Sequence, residues 1–217
     1  MNHFVSLPAG VRRVLPQVLP AGTAALMLAG CASFSTGPSD EQVAQVLKAS
    51  FSERGPAKLD RLDQTPLQKA CSLPVGTELS KPVREELERA AIATVKYPAD
   101  GKFLGSWAEG ERIAQNGRGL QFTDSSSAPN GANCYACHQL APAELSFGNI
   151  GPSLYQYGKL RGSSDAVLKY TWAKIYNSHA FNACSQMPRY GDAGILTQQQ
   201  LQHVMALLLD PASPVNK

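Results

Sequence analysis

Asn133-Cys134-Tyr135-Ala136-Cys137-His138 contains the motif C-x-x-C-H, and it constrains the fold more than any other stretch of this chain. In an exported protein that spacing is the attachment signal for a c-type haem. Two thiols separated by two residues reach the two vinyl groups on one edge of a porphyrin. The adjacent imidazole then falls beneath the iron as its proximal ligand. Three other readings fit less well. A thioredoxin-like C-x-x-C sits in a βαβ setting, and no strand pattern precedes Cys134. A structural zinc site needs a second pair of ligands, which Cys184, His179 and His203 do not form at sensible spacing. A disulfide closed across two residues is strained.

The condition of export is met at the other end of the chain. Arg12-Arg13 precedes an uncharged, Leu- and Ala-rich stretch from Val14 to Gly30, the pattern of a secretory signal. At about 17 residues, broken by Pro16 and Pro20, it is a poor transmembrane helix, which needs about 20 apolar residues. It ends Leu28-Ala29-Gly30-Cys31, which resembles a bacterial lipobox with Cys31 as the lipidated residue. The alternative is ordinary cleavage near Ala32, with Cys31 discarded. Both readings export the chain to the periplasm. Ser33–Ser39 then reads as a flexible tether. Removing Arg12 and Arg13 from 20 basic and 17 acidic residues leaves 18 against 17, a net charge of +1. Phosphate binding needs a clear basic excess, so nucleic acid is excluded as a partner, and a membrane is met only through the lipid.

The helices are short and the loops long. Ser39-Asp40-Glu41-Gln42 is a capping box before Val43, Val46, Leu47 and Phe51 at helical spacing. A second helix is expected over 80–95, carrying Val83, Leu87, Ala91 and Val95 on one face. Residues 56–79, with Cys71, read as irregular. A new unit begins near residue 105, where Ser106-Trp107-Ala108-Glu109 caps a helix through Ala114. Thr123–Asn133 reads as a polar surface insertion. Residues 141–163 hold too many Gly and Pro for regular structure. Ser164 caps a helix through about Asn177, and Thr197-Gln198-Gln199-Gln200 caps the last one, striped by Leu201, Val204, Met205 and Leu208. The expected organisation is a signal over 1–30, a tether and helical extension over 31–104, and a haem domain over 105–213. The expected class is all-α, since no stretch shows sustained alternation. Loops this long are costly to order unless they wrap something.

A second axial ligand must come from elsewhere in the chain. Met187 and Met205 are the thioethers left after signal removal, with His179 and His203 as imidazoles. Met205 lies on the apolar stripe of the last helix and reads as core, while His203 falls off the stripe and reads as solvated. Met187 sits in Cys184-Ser185-Gln186-Met187-Pro188-Arg189-Tyr190-Gly191, a loop held by a proline and a glycine, and is the expected distal ligand with His179 as runner-up. His/Met ligation raises the potential and saturates the iron, favouring electron transfer over binding of oxygen or peroxide. Gly148–Leu154 contains a Gly-Pro turn whose Pro152 carbonyl can accept from His138 and fix its ring; an ordinary proline turn explains the same residues.

Over 105–210 the order helix, C-x-x-C-H, Gly-Pro loop, helix, Met loop, terminal helix resembles a class I cytochrome c. One feature departs from that pattern. Such domains set an aromatic residue of the last helix against a glycine of the first, and here Gly110 is matched by Met205, Leu207 and Leu208. More finely, Asn116–Phe122 (NGRGLQF), Asn133–Leu140 (NCYACHQL), Gly148–Leu154 (GNIGPSL), Lys174–Asn177 (KIYN), Asn182–Gly191 (NACSQMPRYG) and Asp210–Asn216 (DPASPVN) resemble SoxX. SoxX is the monohaem subunit of the SoxAX cytochromes of thiosulfate oxidation. The resemblance implies one covalent haem c on Cys134 and Cys137, with His138 proximal and Met187 distal. It also implies a heterodimer with a SoxA-like cytochrome subunit. That partner would perform the L-cysteine S-thiosulfotransferase chemistry on a carrier protein met through the complex. This chain would pass the released electrons to a small soluble cytochrome c, and no catalytic residue of its own follows.

Cys71 and Cys184 complete the odd count of five cysteines. In an oxidising compartment the default is a disulfide between them, which would staple the extension to the Met187 loop; a free, redox-active Cys184 is the alternative. Two other functions remain at this stage, an independent lipid-anchored monohaem electron carrier and a gas- or peroxide-binding haem protein.

Overall fold

A computed structural model describes residues 37–125 and 127–217. The expected signal segment, the expected lipidation site at Cys31 and the start of the expected tether lie outside the described residues. Residues Glu41–Lys217 form one compact unit, so most of the extension belongs to the same unit as the Cys134–His138 motif.

Every regular element among the described residues is helical, and the protein is all-α. Among the described residues the one β contact is an isolated bridge between Arg54 and Ala57. Among the described residues seven α-helices follow one another: α1 (Asp40–Ser50), α2 (Pro66–Cys71), α3 (Lys81–Ala93), α4 (Trp107–Gln115), α5 (Tyr157–Arg161), α6 (Asp165–Tyr176) and α7 (Gln198–Leu209). Their starts follow cap chemistry. The hydroxyls of Ser106, Ser164 and Thr197 accept from the backbone N–H three residues on, satisfying donors that the first turn leaves unpaired. Thr197 and Gln200 close a full capping box.

Two short helices stand where the sequence reads as irregular. Helix α2 falls within 56–79, where Thr65 and Gln68 form a capping box around Pro66. Helix α5 falls within the breaker-rich 141–163, and Gly162 (φ +71°) ends it. The expected surface insertion at Thr123–Asn133 is also corrected at its end. Gly131 donates to Arg118 O (2.6 Å), Ala132 to Ile113 O (2.9 Å) and Asn133 to Asn116 O (3.1 Å), so the chain enters the core just before the motif.

The core is built where α4 crosses α7. Gly110 lies against the backbone of His203 and the side chain of Leu207, at a distance that leaves no room for a Cβ. Leu201, Val204, Met205, Leu207 and Leu208 are buried along α7, so Met205 is core. His203, read as solvated, is half-buried, and its Nδ1 accepts from the Ser106 N–H at 2.9 Å and ties α7 to the start of α4. Trp172 of α6 is 1% exposed, meets Phe103 edge-on at 5.7 Å and donates its Nε1–H to Lys96 O at 2.9 Å. The C-terminal tail is locked as well. Ser213 donates to Leu207 O (2.5 Å), and Asn216 bonds both the end of α7 and the N–H of Gly158.

Candidate functional site

The motif forms a tight turn. Cys134–Ala136 is one turn of 3-10 helix, entered from Asn133 in the left-handed region (φ 47°, ψ 43°). Cys137 and His138 both donate to Cys134 O, at 3.1 and 2.9 Å. Cys134 and Cys137 are free thiols and half-buried. Burial pushes the Cys134 thiol up to about 12, so it is held as a neutral S–H.

Tyr135, between the two cysteines, is the anchor of this turn. It is buried, and its hydroxyl donates to the Glu111 carboxylate on α4 at 2.9 and 3.2 Å while accepting from the Ala141 N–H at 3.3 Å. Glu111 carries no sequence signal, because its partner is 24 residues away along the chain.

The breaker-rich loop after the motif lies along it in register. Gly148 donates to Tyr135 O, Gly151 to Cys137 O and Leu154 to Gln139 O, each at 2.8 Å. Gly148 presses on the Ala136 carbonyl and Gly151 on the face of the His138 ring, and a Cβ at either position would collide. His138 Nδ1 lies 2.7 Å from Pro152 O. A carbonyl can only accept, so Nδ1 carries the proton and Nε2 keeps its lone pair. The loop thus fixes the tautomer and the orientation of a potential metal ligand.

Met187 is held from a different direction. Its carbonyl accepts from Ser178 Oγ at 2.5 Å and its N–H donates to Ser185 Oγ at 3.2 Å. A disulfide joins Cys71, the last residue of α2, to Cys184, with sulfurs 2.07 Å apart. His179 donates its Nε2–H to Ser185 O at 3.1 Å, leaving Nδ1 buried and unpartnered. Burial is the largest influence on that imidazole and holds it below its ordinary range. Met187, His179, Cys71 and Cys184 line one open cavity of about 390 Å³, which the motif residues do not line. What joins the two halves is the core cluster. Cys134 and Met187 both pack against it, and it includes Tyr190, whose hydroxyl donates to Ala132 O at 2.5 Å just before the motif.

No protein-family model matches the chain. Over 156 residues it is 38% identical to a protein of Aquifex aeolicus (strain VF5) described as an uncharacterized lipoprotein, which covers 69% of this chain and 71% of that protein. The chain belongs to the family of that lipoprotein. Among the described residues, no helix is long and apolar enough to cross a membrane.

For this family member the donor set can be tested against a covalent haem. Two unpaired thiols sit on one turn, and an oriented imidazole with a free Nε2 follows them directly. The glycine cradle over the ring admits no side chain. Those residues fit the group. They do not fit a structural zinc site, because the described residues hold no cluster of three or more His, Cys, Asp or Glu suited to a metal ion.

Proposed function

We propose that this chain is an exported c-type cytochrome, the electron-relay subunit of a SoxAX-type L-cysteine S-thiosulfotransferase. The observation that carries the haem reading is the setting of His138. Its Nδ1–H is committed to Pro152 O, its ring lies on Gly151, and its unprotonated Nε2 keeps a lone pair for a metal beside two unpaired cysteines. In this reading Cys134 and Cys137 would hold haem c through thioether bonds, and His138 and Met187 would be the residues that ligate its iron. When bound, that group supplies a one-electron iron couple.

The chain's own residues orient and protect. Pro152 and Gly151 fix the imidazole plane, and the Ser178 and Ser185 hydroxyls hold the backbone of Met187. The Cys71–Cys184 disulfide fastens its loop to α2. His179 commits its Nε2–H to Ser185 O and keeps an unpartnered Nδ1, so it remains the runner-up to Met187 for the distal position. The α4–α7 crossing at Gly110 supports a class I cytochrome c fold, with Leu207 where an aromatic residue is usual. The name of the Aquifex relative, a lipoprotein, supports lipidation of Cys31 and a membrane-anchored chain.

The partners in this reading are a SoxA-like cytochrome subunit, which carries the substrate chemistry, and a small soluble cytochrome c as acceptor. Co-expression of the tagged, haem-loaded chain with a SoxA-like cytochrome subunit tests the subunit role. A stable one-to-one complex that reduces the acceptor during thiosulfate oxidation is expected. A chain that stays monomeric beside that partner overturns the subunit role. An independent lipid-anchored monohaem carrier would then stand, a reading that the lipoprotein relative also supports.

A further inference from the structure

We propose that Glu111 is a determinant of the reduction potential of this protein, a fixed negative charge held against the haem-attachment turn that favours the ferric state. The inference rests on the covalent-haem reading above and adds a residue outside the motif to it.

Glu111 projects from α4 onto Tyr135, the residue between Cys134 and Ala136. Both of its carboxylate oxygens lie within hydrogen-bond reach of the Tyr135 hydroxyl, at 2.9 and 3.2 Å. The other donor to it is the side-chain amide of Gln115, at 2.8 Å. Both donors are neutral. The adjacent cation, Arg112, is paired with Glu109 instead, so these contacts leave the Glu111 charge uncompensated. Tyr135 is 5% exposed and Glu111 half-buried, so screening between the carboxylate and the turn is weaker than in open water.

Reduction adds one electron to the iron and removes one positive charge from it. A nearby carboxylate therefore stabilises the oxidised state more than the reduced one. The Tyr135 hydroxyl partly offsets this, because its dipole spreads the carboxylate charge. A purely structural role, in which Glu111 only tethers the turn to α4, makes a different prediction. Glu111→Gln keeps the size of the side chain and an oxygen that accepts from Tyr135, so a tether survives it and a charge does not.

The test is spectroelectrochemical titration of the full-length, haem-loaded wild type, E111Q and Y135F. For E111Q the equilibrium is expected to move toward the ferrous form by about threefold to tenfold, tenfold corresponding to 59 mV for one electron. For Y135F, which removes the donor and keeps the charge, a shift toward the ferric form is expected. Opposite signs from the two variants identify the charge as the cause. An E111Q shift smaller than about 1.5-fold, or one toward the ferric form, overturns the proposal. Should E111Q fail to take up haem, the sign of the Y135F shift decides alone. A pyridine haemochrome spectrum of the wild type keeps the two readings apart: with no covalent haem both fall, and with haem bound but an unmoved potential only this inference does.

Discussion

Gly110→Ala sets two known effects against each other at the α4–α7 crossing. Replacing a glycine inside a helix by alanine ordinarily stabilises it by about 0.5–1 kcal/mol, through the lost backbone entropy of glycine. Here the new Cβ would lie 2.8 Å from the carbonyl carbon of His203 and 2.9 Å from Leu207 Cβ, and closer still to the His203 carbonyl oxygen. Those are backbone and Cβ atoms of a buried helix, which cannot swing aside as the tip of a long side chain can. The helices must separate, and overpacking of this kind costs about 1–3 kcal/mol. The steric term is the larger, so a net loss of about 1–2 kcal/mol is expected. Urea unfolding of the full chain followed by far-UV circular dichroism would read it as a midpoint lowered by about 0.5–1 M, for a slope near 2 kcal/mol/M. A G110A midpoint equal to or above that of the wild type would show that the helices do not meet at Gly110.

Gly151→Ala places a Cβ 2.5 Å from His138 Nδ1 and 2.7 Å from Nε2; the ring must turn away from Pro152 O, and a shift of the ferric spectrum toward high spin, at a stability cost of about 0.5–1.5 kcal/mol, is expected. Loss of the disulfide in the C71A/C184A double variant removes a cross-link of sequence separation 113, for which loop entropy gives up to about 5 kcal/mol; urea unfolding should show a large drop, with a weakened sulfur-to-iron band as the Met187 loop loosens. His179 titrates below its ordinary value of 6.5, first because it is buried and then through nearby Arg189 and Lys174, against the opposing Ser185 hydrogen bond and Asp192. The unfolded chain therefore binds a proton that the folded chain refuses. Stability should fall as pH drops below about 6.5, and His179→Gln should flatten that slope in chemical denaturation at pH 5 and pH 7.

Local chemistry was readable where a residue and its partner lie close in sequence. Ser106, Ser164 and Thr197 mark helix starts because a cap and its N–H are three residues apart. Helix α2 carried the same signal in Thr65-Pro66-Leu67-Gln68, and it was hidden by a surrounding stretch poor in apolar periodicity. The pairing of Cys71 with Cys184 could be reasoned from compartment and elimination, without geometry. His203 and Glu111 could not be read, because each acts on a partner brought near by the fold. The Ser106 N–H lies 97 residues from His203, and the Tyr135 hydroxyl lies on the motif turn, 24 residues from Glu111 of α4. Spacing singles out Pro152, but its contact with His138 depends on the in-register run of Gly148, Gly151 and Leu154 along the motif, which a one-dimensional pattern does not contain.

Covalent haem stoichiometry tests the whole account most directly. The full-length chain, exported through a host competent in cytochrome c maturation and then denatured, should give a pyridine haemochrome spectrum of one c-type haem per chain. That spectrum should be lost in C134A/C137A. An exported wild-type chain that carries no covalent haem, with both motif thiols open to alkylation, would contradict it.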